Sequence, residues 1–267
     1  MRSVAVALVA VSLVAAMAAA PAPAEPDWTR HFTGITGTFV LLNGRTGKYT
    51  RHDAVRATQR FAPCSTFKVP NTAILLETGA APDADYVVPY DPALNQEGDW
   101  ARDHSLRSAF KFSVLWYYQT LARRAGLPAE QRLLHQFRYG NESTSGGLEK
   151  TGNPFWVDGT LRISADEQVD FLRRFHDGRL GLSERTTRLT RDIMVAEETP
   201  TWRLSAKTGA CHPVGEDVAL WYVGYVERPD EEIYYFAMEM GDTQYEPLMS
   251  SRVTKTKAIL TELGVIQ

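Results

Sequence analysis

Strand-like segments lie at both ends of this chain, and helical patterns fill the stretch between them. Near the start, segments 38–42 and 48–51 flank Asn43-Gly44-Arg45-Thr46-Gly47, which is typical of a β-hairpin. Near the end, three strand-like segments and a closing helix are predicted at 203–207, 218–227, 233–239 and 253–263. This order predicts an α/β fold of the α+β kind, in which a central antiparallel sheet built from both chain ends is flanked by helices.

The middle of the chain is predicted to be mostly helical. Apolar spacing predicts a helix that begins near Ser65 and stops at Gly79, and Ser164 with Glu167 three residues later is typical of a helix start. Helices are also predicted over 109–125, 129–137 and 168–176, with a loop over 141–153. The sheet region would then comprise about 25–60 and 195–267, with the helical region inserted at about 61–194.

The first 24 residues have the features of a secretory signal peptide. Arg2 precedes a short apolar run, and Ala22-Pro23-Ala24 followed by Glu25 suits signal peptidase. A membrane anchor is the alternative, but a spanning helix needs about 20 apolar residues and the run is shorter. We therefore expect a cleaved signal peptide over 1–24, one exported domain over 25–267 in the periplasm, and no membrane anchor.

Net charge and cysteine content indicate which partners the protein can bind and whether its cysteines are paired. The formal net charge is −3 and no basic run stands out, which argues against a nucleic-acid partner. The two cysteines, Cys64 and Cys211, both belong to the exported part. In an oxidising compartment such a pair more often forms a disulfide than not.

Ser65-Thr66-Phe67-Lys68 places a hydroxyl and an amine three residues apart at a helix start. Residues at i and i+3 share a helix face, so the two side chains can meet. Serine needs a base beside it to act as a nucleophile, and lysine can be that base only when it is uncharged. Alone the pattern is weak, because Ser108-Ala109-Phe110-Lys111 also matches it. Ser65 is the better candidate, since Ser108 follows a strongly polar approach to its helix.

Lys207-Thr208-Gly209 would offer an ammonium, a hydroxyl and an open backbone edge at the end of a predicted strand. The same tripeptide recurs as Lys150-Thr151-Gly152 in the predicted loop, where no strand would hold it, so Lys207 is the functional candidate. Two further elements are weak by themselves. Ser113-Val114-Leu115 is assigned to the helix over 109–125, and Tyr139-Gly140-Asn141 alone is a turn.

Taken in order, these strings resemble the motif series of class D (oxacillinase-type) serine β-lactamases. The resemblance covers nearly all of the chain after the leader. The further strings that carry it are Phe155-Trp156-Val157-Asp158-Gly159, Arg162-Ile163-Ser164-Ala165 and Trp221-Tyr222-Val223-Gly224-Tyr225-Val226-Glu227. A single motif would prove little, whereas the ordered set is specific.

The resemblance implies a role for each matched residue. Ser65 would attack the β-lactam carbonyl, Lys68 carboxylated by carbon dioxide would be the general base, and Ser113 would pass a proton to the leaving nitrogen. The backbone N–H groups of Ser65 and Ala210 would form the oxyanion hole. Lys207, Thr208 and Arg252 would hold the substrate carboxylate, with Gly209 leaving room beside them. Trp156 and Leu115 would line the carbamate pocket. No metal is implied, and the protein would be a monomer or a homodimer that requires only carbon dioxide or bicarbonate.

Two positions depart from the family pattern. Leu115 stands where valine is common, and Ala210 stands where an aromatic or bulky residue is common, so the carbamate pocket would be tighter and the cleft wider. Cys64 directly precedes Ser65 and Cys211 lies two residues past Gly209, so the assembled site would make them neighbours. The arrangement resembles that of some class A carbapenem-hydrolysing β-lactamases, which carry a disulfide between the matching positions, and this resemblance implies a Cys64–Cys211 disulfide.

Two other classes of protein share the same serine and lysine pattern. A penicillin-binding transpeptidase or carboxypeptidase would be acylated by β-lactams without releasing them. A non-catalytic β-lactam sensor domain would bind the drug covalently and signal through a membrane segment. Chain length and Trp156 argue against the first alternative, and the cleavable leader argues against the second.

Overall fold

The computed structural model describes residues 27–149, 152–242, 245 and 248–267. The predicted signal peptide over 1–24 lies outside the described residues, as do Lys150 and Thr151 of the second Lys-Thr-Gly string. Within the described parts of the chain, no helix has the length and apolar character needed to cross a membrane.

Eight strands are present among the described residues: β1 (Thr36–Asn43), β2 (Tyr49–His52), β3 (Val87–Val88), β4 (His104–Ser105), β5 (Val195–Glu198), β6 (Arg203–Cys211), β7 (Val218–Glu227) and β8 (Ile233–Asp242). Six of them form one antiparallel sheet in the order β2-β1-β8-β7-β6-β5, and β3 pairs with β4. The two ends of the chain meet where β1 lies along β8, from Thr36 opposite Gly241 to Asn43 opposite Tyr234. The predicted fold class and the predicted hairpin are therefore confirmed.

In the described parts of the chain, eight α-helices accompany the sheet: α1 (Ala54–Ala57), α2 (Lys68–Glu77), α3 (Leu106–Lys111), α4 (Leu115–Ala125), α5 (Leu127–Phe137), α6 (Ala165–His176), α7 (Glu184–Met194) and α8 (Leu248–Glu262). The Ser164 side chain caps α6 in a capping box with Glu167, as its sequence predicts. The prediction of one helix over 109–125 was wrong. The chain breaks between α3 and α4, where Ser113 takes the left-handed φ of 58°.

The sheet separates two hydrophobic cores because its strands alternate their side chains between two covered faces. In β7, Trp221 and Tyr225 face the helical region, while Leu220 and Val226 face the opposite core beneath α8. Both faces are covered, so nearly every residue of β7 is buried. A strand buried on both faces is a rigid base for side chains that must keep fixed positions.

Truncation of one buried side chain on α8 tests whether this helix seals the second core. Leu260 is fully buried there, whereas the adjacent Thr261 is exposed. We expect Leu260→Ala to lower the free energy of unfolding by about 2–5 kcal/mol, because it leaves a cavity. Thr261→Ala is the matched control and should change stability by less than about 0.5 kcal/mol in denaturant unfolding. Equal losses for the two variants would contradict this packing.

Candidate active site

Ser65 lies in a 3₁₀ turn, Cys64–Phe67, that leads directly into α2. Side chains at i and i+3 eclipse in a 3₁₀ turn, so Ser65 and Lys68 are brought face to face. Lys68 Nζ donates a hydrogen bond to Ser65 Oγ at 3.0 Å. Ser65 is partly exposed and Lys68 is 1% exposed. The hydroxyl is therefore open to a ligand while the amine behind it is shielded from water.

Burial lowers the pKa of Lys68 well below its ordinary value, and the nearby charge of Lys207 lowers it further. One aromatic ring lies against the amine, and a pair of stacked rings is buried in the adjoining core. Lys68 Nζ lies 5.2 Å from the centre of the Tyr118 ring, and the Phe67 and Trp156 rings stack at 5.1 Å between centroids. Leu115, at the start of α4, is partly buried against the same core. This pocket favours an uncharged Lys68, as base chemistry requires.

Lys207 projects from β6 toward the same site. Its Nζ donates to Ser113 Oγ at 3.1 Å and to the Thr208 carbonyl at 3.0 Å. Burial, together with the charge of Arg252 on α8, lowers the pKa of Lys207 to about 7. Thr208 and Ala210 are partly exposed on the same strand. Lys207 thus links the Ser113 hydroxyl to the edge of the sheet.

Ser113 occupies the tight turn between α3 and α4 rather than a helix. Its positive φ places a non-glycine residue in the left-handed region, which costs about 1–2 kcal/mol. Backbone hydrogen bonds from Ser113 to Phe110 and from Val114 to Ala109 close the turn. The strained turn brings the Ser113 hydroxyl within hydrogen-bond distance of Lys207. Strained backbone conformations of this kind are concentrated at functional sites.

The 3₁₀ turn that carries Ser65 packs tightly against β6. A Cβ at Gly209 would lie 3.0 Å from both the Pro63 carbonyl oxygen and the Thr66 methyl carbon, so the strand needs glycine to approach this closely. The predicted disulfide is present at the same contact. It joins Cys64 to Cys211 with their Cα atoms 5.5 Å apart. Turn and strand are therefore held together by packing and by a covalent bond.

Tyr139-Gly140-Asn141 supports the site from behind. A Cβ at Gly140 would collide with the Arg162 carbonyl, and the Asn141 side chain accepts from Arg162 N and donates to the Thr160 carbonyl, both at 2.9 Å. These contacts fix the segment that carries Trp156. In turn, the Trp156 carbonyl accepts a hydrogen bond from Cys64 N at 3.0 Å, directly before Ser65. Tyr139-Gly140-Asn141 is thus more than a turn, because its contacts hold the neighbouring segment in place.

The sequence did not predict one buried series of side-chain hydrogen bonds, which involves Gln168, Tyr139 and Thr66. Gln168 on α6 donates to Thr66 Oγ at 2.9 Å, and Tyr139 donates to Gln168 Oε1 at 3.4 Å. Thr66 in turn donates to the Pro63 carbonyl at 2.6 Å. These hydrogen bonds tie α6 to the residue next to Ser65. No local pattern could have revealed them, since Thr66 and Gln168 are 102 residues apart.

The second Ser-x-x-Lys string serves helix capping. Ser108 and Ser105 form a capping box at the start of α3, and His104 Nδ1 lies 2.9 Å from Ser108 Oγ. Lys111 is exposed. The structure thus brings Ser65, Lys68, Ser113 and Lys207 together and leaves the Ser108 string in a capping role.

A serine beside a buried lysine, a second serine and a Lys-Thr-Gly strand define the penicillin-recognising class of serine enzymes. In agreement, residues 37–262 match the family described as the penicillin binding protein transpeptidase domain. β-Lactamase OXA-48 of Klebsiella pneumoniae is 37% identical over 267 residues, which cover 97% of this chain and 98% of that protein.

Two further relatives refine the assignment. The crystal structure of the class D β-lactamase YbXI from Nostoc has a TM-score of 0.82 and 33% identity over 89% of this chain and 98% of that one. Regulatory protein BlaR1 of Bacillus licheniformis is 34% identical over 78% of this chain, but the match spans only 34% of that longer protein. The chain belongs to the class D β-lactamases, a family of serine hydrolases.

Removal of the disulfide tests its contribution to stability. The loop that it closes spans 147 residues, so its loss should lower the free energy of unfolding by about 2–4 kcal/mol. We expect this loss in the Cys64→Ser/Cys211→Ser variant by denaturant unfolding. Reductant should destabilise the wild type to a similar degree and leave the double variant unchanged, because the chain has two cysteines in all. A wild type that is indifferent to reductant would contradict the prediction.

Proposed function

We propose that this protein hydrolyses β-lactam antibiotics through an acyl-enzyme on Ser65 and so confers resistance to them. The observation that carries the proposal is the 3.0 Å hydrogen bond between the Lys68 amine and the hydroxyl of the partly exposed Ser65. Burial lowers the pKa of this amine, which favours its neutral form. Family membership supports the substrate class. We further propose that the chain acts in the periplasm after removal of residues 1–24.

Ser65 Oγ attacks the carbonyl carbon of the lactam ring as its proton passes to the base at Lys68. The ring C–N bond breaks, and Ser113 passes a proton to the departing nitrogen. Lys207, which donates to Ser113 Oγ at 3.1 Å, replenishes that proton. Backbone N–H groups of Ser65 and Ala210 hold the developing oxyanion. The proton that the base gained returns to Lys207, so the base is free again. Water then attacks the ester carbonyl as the base takes its proton, the ester C–O bond breaks, and the base gives that proton to Ser65 Oγ.

Lys68 is proposed to carry a carboxyl group derived from carbon dioxide. Only a neutral amine reacts with carbon dioxide, and the dry pocket favours that form. The carbamate supplies the general base for acylation and deacylation. Trp156 packs against this pocket, and its indole N–H is proposed to donate to the carbamate, with Leu115 excluding water. No metal takes part in this scheme.

The substrate carboxylate is proposed to bind Lys207, Thr208 and Arg252. Burial lowers the pKa of Lys207, and the charge of Arg252 lowers it further, so the two cations repel each other. An anionic group placed between them relieves that repulsion. Arginine adds a fork of donors that suits a carboxylate.

Turnover separates hydrolysis from the two rival functions. Purified protein mixed with a chromogenic cephalosporin should release many product molecules per enzyme, and Ser65→Ala should release none above background. A stoichiometric burst followed by no further product would instead indicate a transpeptidase or a sensor domain. The match to a regulatory protein makes that outcome worth excluding with several substrates.

The carboxylation of Lys68 predicts a dependence on pH and bicarbonate. As the pH falls, a proton occupies the amine and competes with carbon dioxide, so activity in bicarbonate-depleted buffer should decline toward acidic pH. Adding bicarbonate at constant pH should restore it. Lys68→Ala is the control and should stay inactive with or without bicarbonate. Activity that does not respond to bicarbonate at any pH would rule out the carbamate as the base.

A further inference from the structure

A cavity of about 430 Å³ opens beside Lys207 and Thr208 at the edge of the main sheet. Cavities of about 300–1,000 Å³ are typical of sites for small organic ligands. Its walls come from α3, the junction of α7 with β5, the outer face of the sheet, and α8. The residues used below are Phe110, Lys111, Met194, Ala196, Tyr222 and Val253. None of these side chains has a role in the reaction proposed above.

The cavity begins at the point on β6 where the pairing with β5 ends. β5 pairs with β6 from Glu198 opposite Arg203 only as far as Val195 opposite Ser205. Beyond that point, no described strand lies along this edge of β6. The open edge is therefore continuous from the cavity at Ala206 past Lys207 and Thr208. A molecule held at Lys207 meets the mouth of the cavity directly.

The walls combine apolar surface with positive charge. Phe110 and Met194 are buried, and Tyr222 adds a second aromatic ring from β7. Phe110 is shared with the active site, because Lys207 Nζ lies 5.6 Å from the centre of its ring. Arg107 and Lys111 are exposed lining residues, whereas Asp192 is the one carboxylate among the lining residues. Such a cavity suits an aromatic group that ends in an anion.

We propose that this cavity is a specificity subsite for the ring substituent next to the substrate carboxylate, and that it selects cephalosporins whose C3 group is aromatic and anionic. The inference rests on the proposed function, since it takes the carboxylate to lie at Lys207 and Thr208. In a cephalosporin the carboxylate is on C4, so the C3 group starts one bond away and extends past that anchor. A penicillin has only two methyl groups in the corresponding region and leaves the cavity unused.

Filling the cavity provides the first test. Ala196 lines it and is exposed, so Ala196→Trp adds bulk without touching the proposed machinery. The substrates are a penicillin, a 3-methyl cephalosporin and a cephalosporin with a vinyl-linked benzoate at C3 that does not leave during hydrolysis. We expect kcat/KM to fall about tenfold for the benzoate substrate and to stay within about twofold for the other two. Ala54→Trp, at another exposed alanine on α1, is the matched control and should leave all three unchanged.

Reversing one charge provides the second test. Lys111→Glu should lower kcat/KM for the C3 benzoate substrate about two- to fivefold relative to its neutral methyl ester, as expected for an exposed ion pair, with the effect declining at high salt. The subsite is overturned if Ala196→Trp leaves the ratio of benzoate to 3-methyl substrate unchanged. Failure of the proposed function is a different result, because the wild type would then turn over none of the three substrates.

Discussion

The site depends on keeping water away from one amine. Burial makes the chemistry proposed for Lys68 possible, since an ordinary surface lysine is protonated at neutral pH and can neither act as a base nor react with carbon dioxide. Tyr118 lies against the amine, the stacked Phe67 and Trp156 rings are buried in the adjoining core, and the 3₁₀ turn sets the amine against Ser65.

The two halves of the site come from distant parts of the chain, and close packing and a disulfide hold them together. Ser65 belongs to the helical region and Lys207 to the sheet, and Gly209 lets β6 pack closely against Pro63 and Thr66 on either side of Ser65. The Cys64–Cys211 disulfide fixes the same junction covalently. Catalytic groups must hold their geometry within a fraction of an ångström, and a junction that is braced in several ways suits that demand.

Local patterns predicted much of this arrangement, and the misses have physical reasons. The i, i+3 spacing of Ser65 and Lys68 determines their contact, and the strand-like segment predicted over 218–227 coincides with β7. The left-handed turn at Ser113 escaped prediction because the flanking residues have good helical patterns and only tertiary contacts select the break. Gln168 was missed for a similar reason, as its partner Thr66 is remote in sequence. The roles assigned to the site residues remain predictions for kinetics to judge.

The pairing of β1 with β8 also dictates when the protein can finish folding. β1 carries a run of buried apolar residues from Phe39 to Leu42, and β8 is encoded near the far end of the chain. Until β8 docks, this apolar edge of β1 stays unpaired, whether the chain folds during synthesis or after export. A chain that ends before β8 therefore leaves β1 without this neighbour, and an open apolar strand edge favours aggregation.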